Sequence, residues 1–567
     1  MRILFLTHAF NSLTQRLHVE LRAQGHEVSV EFDINEAVAL EAVDLHRPDL
    51  IIAPFLKRAI PESIWSNHVC LIVHPGIRGD RGPSALDWAI LKGERRWGVT
   101  VLQANGEMDA GDVWASVEFE MRETTKGSLY RNEVTEAAVE AVMLAVARVQ
   151  NGEYQAQPLK RIDPASLGGW QPLVRQGDRA IDWKRDTSTQ ILRKIRSADG
   201  VPGVLDTLFG RQCYLYDAWP EKVLKGAPGE PIARCGGAIC RATTDGGVWI
   251  GHLREKGCEH PFKLPATRLL AAEAAALPEI EADEASGYRE IWYQEEEGVG
   301  LLHFRFYNGA MSTAQCEALL AAFREAKHRD TRVILLLGGG DYWSNGMHLN
   351  LIEAASSAAD ESWRNINAID DLAREIIETE SHLTIAALQG NTGAGGVFLA
   401  RAADEVWARR GVILNPHYKD MGNLFGSEYW TYLLPRYSGD ERAAKIAETR
   451  LPMGVDEAVA LNLIDRVIDG PVMGFVSDVR QLASSMIRTP AFSKRLHYKN
   501  ARRQADEALK PLARYREEEL EQMKRNFYGF DPSYHVARYN FVYKVPKSRT
   551  PLTLANHRWT KPFRRVS

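Results

Sequence analysis

The rhythm of apolar and polar positions changes three times along the chain. Residues 2–8, RILFLTH, are almost wholly apolar until their last two positions, which predicts a strand buried on both faces. In SLTQRLHVELRAQG (12–25) the leucines recur every fourth position before Gly25, the pattern of an amphipathic helix with a glycine stop. EVSVEF, PDLIIAPF and VCLIVHP follow as further strands. Strands separated by helices predict a parallel sheet, and ligands of such sheets sit at the carboxyl ends of the strands. His74 closes VCLIVH and falls at one of those ends.

Between about 165 and 275 the rhythm shortens. QCYLYDAWP and PIARCGGAICRATTDGGVWIGHL read as short strands punctuated by glycine, a small β-rich domain. LPEIEADEASGY (277–288) is acidic and poor in large apolar residues, which predicts a linker. From 289 an α/β pattern resumes, with GLLHFRFY, RVILLLGGG and LTIAALQG each followed by a helical stretch. The end, from about 490, is helical and then aromatic-rich, with no core of its own, so it is expected to pack on a neighbouring domain. The predicted architecture is α/β and multidomain: domains at 1–164 and 165–276, a linker at 277–288, and a last domain with a helical tail at 289–567.

Composition narrows the class. A chain of 567 residues is too long for one core. A net charge of -4 argues against nucleic acid as the main partner, and the basic residues of the tail alternate with Glu as on a solvated helix face. No apolar run is long enough for a signal peptide core or a membrane span, so the expected location is the cytoplasm. The six scattered cysteines predict no disulfide framework, and Cys235, Cys240, Cys258 and His260 match no usual zinc spacing; no metal site is expected.

Two regions carry candidate chemistry. On the residues alone, His74 and the acids Asp109 and Asp112 of GEMDAGD read first as a strand-end histidine with turn formers, and only second as a proton-handling set. VHPGIRGDRGPSALDWAILKGERRWGVTVLQANGEMDAGDV, however, resembles the enzymes that use 10-formyltetrahydrofolate, and the resemblance extends over about 1–275. It implies a Rossmann-like catalytic domain followed by a small OB-like β domain. In that family an Asn, a His two positions on, and a later Asp act on the formyl carbon through a tetrahedral oxyanion. By position, His74 is the histidine and Asp109 the aspartate, while Ile72 stands where the Asn belongs. Asn11 and Gln15 are candidates to replace it. The resemblance also implies that the backbone of Pro54, Phe55 and Leu56 holds the folate pterin.

The second region, about 289–485, resembles the crotonase (enoyl-CoA hydratase/isomerase) superfamily through GGGDYWSNGMHLNLIE and ALQGNTGAGGVFLARAADEV. This implies two backbone N–H donors, from Met347 and Gly395, converging on a CoA-thioester oxygen, with Asn345, His348 and Leu349 near the adenine end of coenzyme A. The two acids of a hydratase map to Phe398 and to a position on or beside His417, so hydration of an enoyl-CoA is not expected. Tyr418 and Glu428 are the candidates for acid–base work in their place.

The combination of both halves resembles HoxX-type hydrogenase maturation proteins over essentially the whole chain. That resemblance implies formyl transfer from 10-formyltetrahydrofolate to coenzyme A, then release of carbon monoxide from formyl-CoA. It also implies a hydrogenase large-subunit precursor, or its maturation machinery, as partner. Hydrolysis of formyl-CoA to formate, a non-catalytic folate- and CoA-binding scaffold, and a tRNA or sugar formyltransferase with an appended acyl-CoA domain are the alternatives.

Overall fold

The computed structural model describes residues 1–159, 168–281 and 287–559. The expected boundary at 164/165 and the middle of the expected linker, 282–286, lie outside the described residues. The chain forms two compact units. One comprises Met1–Cys258, Pro265–Tyr288 and the chain from Pro546 onward; the other comprises Glu259–Leu264 and Arg289–Val545.

The first unit opens with a six-stranded sheet of β1 (Arg2–Thr7), β2 (Glu27–Phe32), β3 (Leu50–Ala53), β4 (Cys70–His74), β5 (Arg96–Gln103) and β6 (Val113–Glu120), in the order β2-β1-β3-β4-β5-β6. The parallel arrangement expected from the sequence holds from β1 to β4 and ends there, because β5 runs antiparallel to both β4 and β6. Between β4 and β5 lies the helix Ala85–Lys92. β5 starts beyond the carboxyl end of β4, with His74 opposite Thr100 and Leu71 opposite Gln103, so the chain turns back beside β4 and needs no crossover. A second sheet contains β7 (Val204–Leu208), β8 (Arg211–Glu221), β9 (Pro231–Cys235), β10 (Ala238–Ala242) and β11 (Gly247–Glu255), antiparallel in the order β7-β8-β11-β10-β9. The ends of the expected linker belong to this domain: Ile280 N–H donates to the Arg234 carbonyl at 2.9 Å, and Tyr288 is buried against Trp249.

The second unit has a six-stranded sheet in which Ile291–Glu296, Val299–Phe304, Val333–Leu337, Leu383–Leu388, Glu405–Arg409 and Arg466–Ile468 follow one another in chain order. The first pair is antiparallel and the rest are parallel. Both faces are covered. Ile334 and Leu336 join one apolar core, while Val333, Leu335 and Leu337 join the other, as the two-residue period of a strand requires. A separate small parallel sheet consists of Tyr342–Ser344, Asn391–Gly393 and Leu414–Asn415. Three tail helices, Ala491–Leu509, Leu512–Tyr528 and Ser533–Val542, complete the unit, with Leu512, Met523, Phe527 and Tyr534 entering the first of its cores. No helix among the described residues is long and apolar enough to cross a membrane.

The chain end corrects the expected extent of the last domain, 289–567, because Pro546 onward belongs to the first unit. β2 is an edge strand, and an open edge is an invitation to non-native pairing. The tail covers it: Val30 N–H donates to the Leu554 carbonyl at 3.0 Å and Phe32 N–H to Thr550 Oγ1 at 2.8 Å. Between them Glu31 is fully buried, facing His557 Nε2 at 3.0 Å, Arg558 Nε at 2.6 Å and the Thr550 hydroxyl. Burial pushes the Glu31 carboxyl up, but the bonds from His557, Thr550 and Arg558 outweigh it and hold the group below the usual glutamate range. Glu31→Ala takes the buried acceptor from His557 and Thr550 and leaves Arg558 with the exposed Glu41 alone, a loss of about 3 kcal/mol, the low end for breaking a buried pair. Trypsin is expected to cut after Lys544, Lys547 or Arg549 several times faster in that variant than in the wild type, measured by mass spectrometry of timed digests.

Two candidate active sites

His74 ends β4 and is held there by the neighbouring strand. Trp97 Nε1 donates to the Pro75 carbonyl and Thr100 Oγ1 to the Gly76 carbonyl, each at 2.9 Å, so the turn after the histidine is fixed from β5. The ring is buried between two acids. Nε2 lies 2.9 Å from Oδ2 of Asp80, and Nδ1 lies 3.6 Å from Oδ2 of Asp109. Asp109 has a left-handed backbone, φ 52°, and its Oδ2 accepts the Gly82 N–H at 3.1 Å. Gly76 and Gly168 have no side chains for a reason: a Cβ on Gly76 would overlap the His74 ring, and one on Gly168 would overlap Asp80.

Ile72 shares the His74 face of β4 and packs in an apolar cluster with Leu6, Ala53, Leu56 and Ala104. The two proposed replacements for the missing Asn have structural work. Asn11 caps the helix Ser12–Ala23, its Oδ1 accepting from the Thr14 N–H at 3.0 Å, and Gln15 Nε2 donates to the Phe10 carbonyl at 3.0 Å. In the predicted folate segment Pro54–Phe55–Leu56, the Phe55 carbonyl accepts from His8 N–H at 2.7 Å and from Thr7 Oγ1 at 3.1 Å. The Phe55 ring meets the Tyr130 ring edge-on, 6.4 Å between centroids. Tyr130 opens a π-helical turn, Tyr130–Val134, and burial pushes its hydroxyl up to about 12.

In the second unit the small sheet brings the site together. Its three strands are parallel and lead directly into Asn345–His348, into Ala394–Gly395 and into Pro416–Tyr418. A Cβ built on Gly346 would lie 3.6 Å from the Gly395 nitrogen, so the first two loops meet. Among the described residues, neither Met347 N–H nor Gly395 N–H donates to a protein group. Both are therefore available to an oxygen from outside. Ala394 turns the chain into the helix Gly395–Arg401 through a left-handed backbone, φ 47°, and a Cβ on Gly395 would strike the carboxyl of Glu428.

Glu428 is fully buried with Oε1 as the atom nearest that position. Its Oε2 lies 2.5 Å from Tyr418 Oη, which is also 3.1 Å from the Ser427 carbonyl. Burial and then the nearby Asp370 push Glu428 up to about 8, so it holds its proton at neutral pH. The Tyr418 hydroxyl has both the Glu428 carboxyl and the Ser427 carbonyl as acceptors, and Glu428 Oε2 also accepts the Ser427 N–H at 3.2 Å. Tyr418 itself is raised well above the usual tyrosine range by the same burial and by Glu428. Phe398, where a hydratase has its first acid, stacks on the Tyr418 ring at 5.4 Å. His417, at the second acid position, is half-buried, its Nδ1 atom buried with no partner among the described residues, and burial lowers its affinity for a proton.

Residues 31–146 match the formyl transferase family model, 173–261 that of the formyl transferase C-terminal domain, and 294–535 that of enoyl-CoA hydratase/isomerase. The hydrogenase maturation factor HoxX of Bradyrhizobium diazoefficiens is 59 % identical over 558 residues, covering 98 % of this chain and 97 % of that protein. The chain belongs to the HoxX family of hydrogenase maturation factors. The crystal structure of HypX from Aquifex aeolicus in complex with tetrahydrofolic acid superposes with a TM-score of 0.95 at 48 % identity, covering 99 % of each chain. A methionyl-tRNA formyltransferase of Bacillus mycoides is 26 % identical over 249 residues, covering 42 % of this chain and 77 % of that one.

This member of the HoxX family thus joins a formyltransferase half to an enoyl-CoA hydratase-like half, and its sites contain residues that sequence reading passed over. Asp80 is one; its only signal was an acid inside a glycine-rich turn. Asp370 and Glu519 are others, both fully buried. Asp370 accepts from the Glu428 N–H at 2.9 Å and from Ser427 Oγ at 2.7 Å. Glu519, on a tail helix, accepts from Tyr429 N–H at 3.0 Å, Thr431 N–H at 2.8 Å and Thr431 Oγ1 at 2.6 Å. Together they hold a turn in which Glu428 and Tyr429 are both left-handed, φ 60° each. Of the residues expected near adenine, Asn345 donates Nδ2 to the Asn308 carbonyl at 2.8 Å. At His348 the N–H donates to Asn365 Oδ1 at 3.1 Å and the ring caps the helix Leu349–Glu353. Leu349 is the first residue of that helix.

The proton on Glu428 has a stability consequence. The unfolded chain loses it near 4.5 and the folded chain near 8, so stability falls as pH rises between those values. Glu428→Gln removes this part of the fall. At pH 8 the variant is expected to gain on the order of a few kcal/mol relative to the wild type, at about 1.36 kcal/mol per pKa unit, and at pH 4 to gain none. Thermal denaturation at the two pH values, followed by tryptophan fluorescence, measures the difference.

Proposed function

We propose that this protein makes carbon monoxide for a hydrogenase metal centre from 10-formyltetrahydrofolate, in two steps joined by formyl-CoA. The observation that carries the reading is in the second unit: two uncommitted backbone N–H groups, Met347 and Gly395, beside a proton-bearing Glu428, where hydratases would have their acids. Formyl-CoA has no α-carbon, so such a site has no enolate to make. What it can do is hold the formyl oxygen and move a proton.

In the first step the thiol of coenzyme A adds to the formyl carbon. The C–S bond forms, the C–N10 bond of the folate breaks, and the thiol proton ends on N10. His74 donates to the oxyanion and relays the proton, with Asp109 beside it at 3.6 Å. An oxyanion donor is typically worth roughly 10²–10³ in rate, so Ile72 is a real loss. A thiol acceptor tolerates it, because a thiolate is intrinsically a strong nucleophile. The folate-bound HypX structure supports folate as a ligand, which on this reading lies on Pro54, Phe55 and Leu56, and coenzyme A would lie along Asn345, His348 and Leu349 with its carbonyl on the two N–H groups.

In the second step the C–H and C–S bonds of formyl-CoA break, giving carbon monoxide and the thiol. Glu428 gives its proton to the departing sulfur and regains one from the formyl carbon, with Tyr418 bridging at 2.5 Å. On this reading the protein works in the cytoplasm, with a hydrogenase precursor, or its maturation machinery, as recipient.

The test uses folate labelled in its formyl group. Purified full-length protein with labelled 10-formyltetrahydrofolate and coenzyme A is expected to release labelled carbon monoxide, and to release none without coenzyme A. His74→Ala is expected to abolish formyl loss from folate. Glu428→Gln is expected to lower carbon monoxide output by about 10²-fold or more while formyl transfer continues. Labelled formate with no carbon monoxide would make the second half a formyl-CoA hydrolase and end this reading.

A further inference from the structure

We infer that Asp80, rather than Asp109, is the orienting acid of His74, fixing the ring as the Nε2–H tautomer and leaving Nδ1 to carry the proton during formyl transfer. The inference rests on the formyl-transfer reading of the first half and deepens it. Three observations support it, each geometric.

The first is distance. Asp80 Oδ2 lies within hydrogen-bond reach of Nε2 at 2.9 Å, whereas the 3.6 Å between Nδ1 and Asp109 Oδ2 is too long for a hydrogen bond. The second is burial. The Asp80 side chain is 2 % exposed and that of Asp109 14 % exposed, so Asp80 lies behind the ring and Asp109 on the side solvent reaches. The third is how the surrounding backbone is built. Asp80 N–H donates to the Ile77 carbonyl at 3.0 Å and Gly168 N–H to the Arg78 carbonyl at 2.7 Å, a frame closed around the Asp80 side chain. Glycines at 76 and 168 leave just enough room for the pair. Asp109 is held back by its bond from Gly82 N–H.

A carboxylate on one ring nitrogen requires a hydrogen there, and in a neutral imidazole the other nitrogen then has the lone pair. Nδ1 therefore takes the thiol proton as the C–S bond forms and gives it to N10 as the C–N10 bond breaks. The imidazolium present in between is flanked by Asp80. Asp80 touches no reacting atom; it is a positioning residue.

Selective 15N-histidine labelling of the full-length protein, with His74 assigned by its loss in His74→Gln, reads the tautomer from two-bond proton–nitrogen correlations without any substrate. The wild type is expected to show His74 protonated at Nε2. In Asp80→Asn the side-chain amide donates to Nε2, and the ring is expected to switch to Nδ1–H. Formyl transfer should then fall by about 10⁴-fold, the size of effect when the orienting acid of a catalytic histidine becomes an amide, while tetrahydrofolate binding stays within twofold. Asp109→Asn is expected to keep the Nε2–H form. A wild-type ring protonated at Nδ1 alone, or an Asp80→Asn protein transferring formyl within tenfold of wild type, overturns the inference. If Asp80→Asn fails to fold, the wild-type spectrum decides. Because the tautomer is read before any chemistry, this result is separate from whether formyl-CoA or another acceptor is the product.

Discussion

A carboxyl group taken out of water must find donors, find a cation, or keep its proton, and each way of meeting that constraint marks a working part of this chain. Glu31 finds a guanidinium and an imidazole, and the outcome is a fastening between the chain end and the edge strand β2. Asp80 finds the His74 ring. Asp370 and Glu519 share the Ser427 hydroxyl and Glu428 accepts the Ser427 N–H, in a region that offers a distant partner in Arg516, 3.9 Å from Asp370. Burial raises Asp370 to about 6, and burial together with the neighbouring Asp370 charge raises Glu519 to about 8. The same physical penalty yields a strap in one place and an acid that still holds its proton at neutral pH in another.

Backbone strain follows the same map. Left-handed conformations of residues with a side chain cost on the order of 1–3 kcal/mol and persist only where neighbours over-determine them. Some of those here, such as Arg47 and Asn308, belong to ordinary turns. Asp109, Ala394, Glu428 and Tyr429 do not: each lies in a candidate site, and each is tied down from elsewhere. Gly82 holds Asp109, the Asn415 carbonyl accepts the Ala394 N–H at 2.9 Å, and Asp370 and Glu519 accept the N–H groups of Glu428 and Tyr429. The tail helix carrying Glu519 is therefore part of the site's construction as well as of its cover.

The departures from the two enzyme families have structural answers of different kinds. Ile72 is absorbed into an apolar cluster, so the surface an Asn would make polar is apolar here. Phe398 becomes the platform under Tyr418. The buried acid that faces Gly395 is Glu428, in the turn at Ser427–Tyr429, and not a residue of the glycine-rich helix. A chain can keep the oxyanion donors of a fold and replace its acids, because the donors are backbone and the acids are side chains.

The sequence alone determined the order of domains, the strand that ends on His74, the glycine-rich loops at 346 and 395, and the families they resemble. These are legible because a buried strand, a glycine that must lack a side chain, and a loop leading into a helix each leave a local pattern. It also singled out Tyr418 and Glu428, though not the 2.5 Å contact between them. Only the tertiary structure decided that β5 turns antiparallel, that Pro546 onward returns to the first unit, and that Asp80, Asp370 and Glu519 serve the sites. Asp370 and Glu519 stand 58 and 91 positions from Glu428 in the chain, and nothing in their neighbours announces a partner so far away. An acid in a helical stretch looks the same in sequence whether it meets water or three other buried groups, because the charge it faces is set by packing and not by spacing.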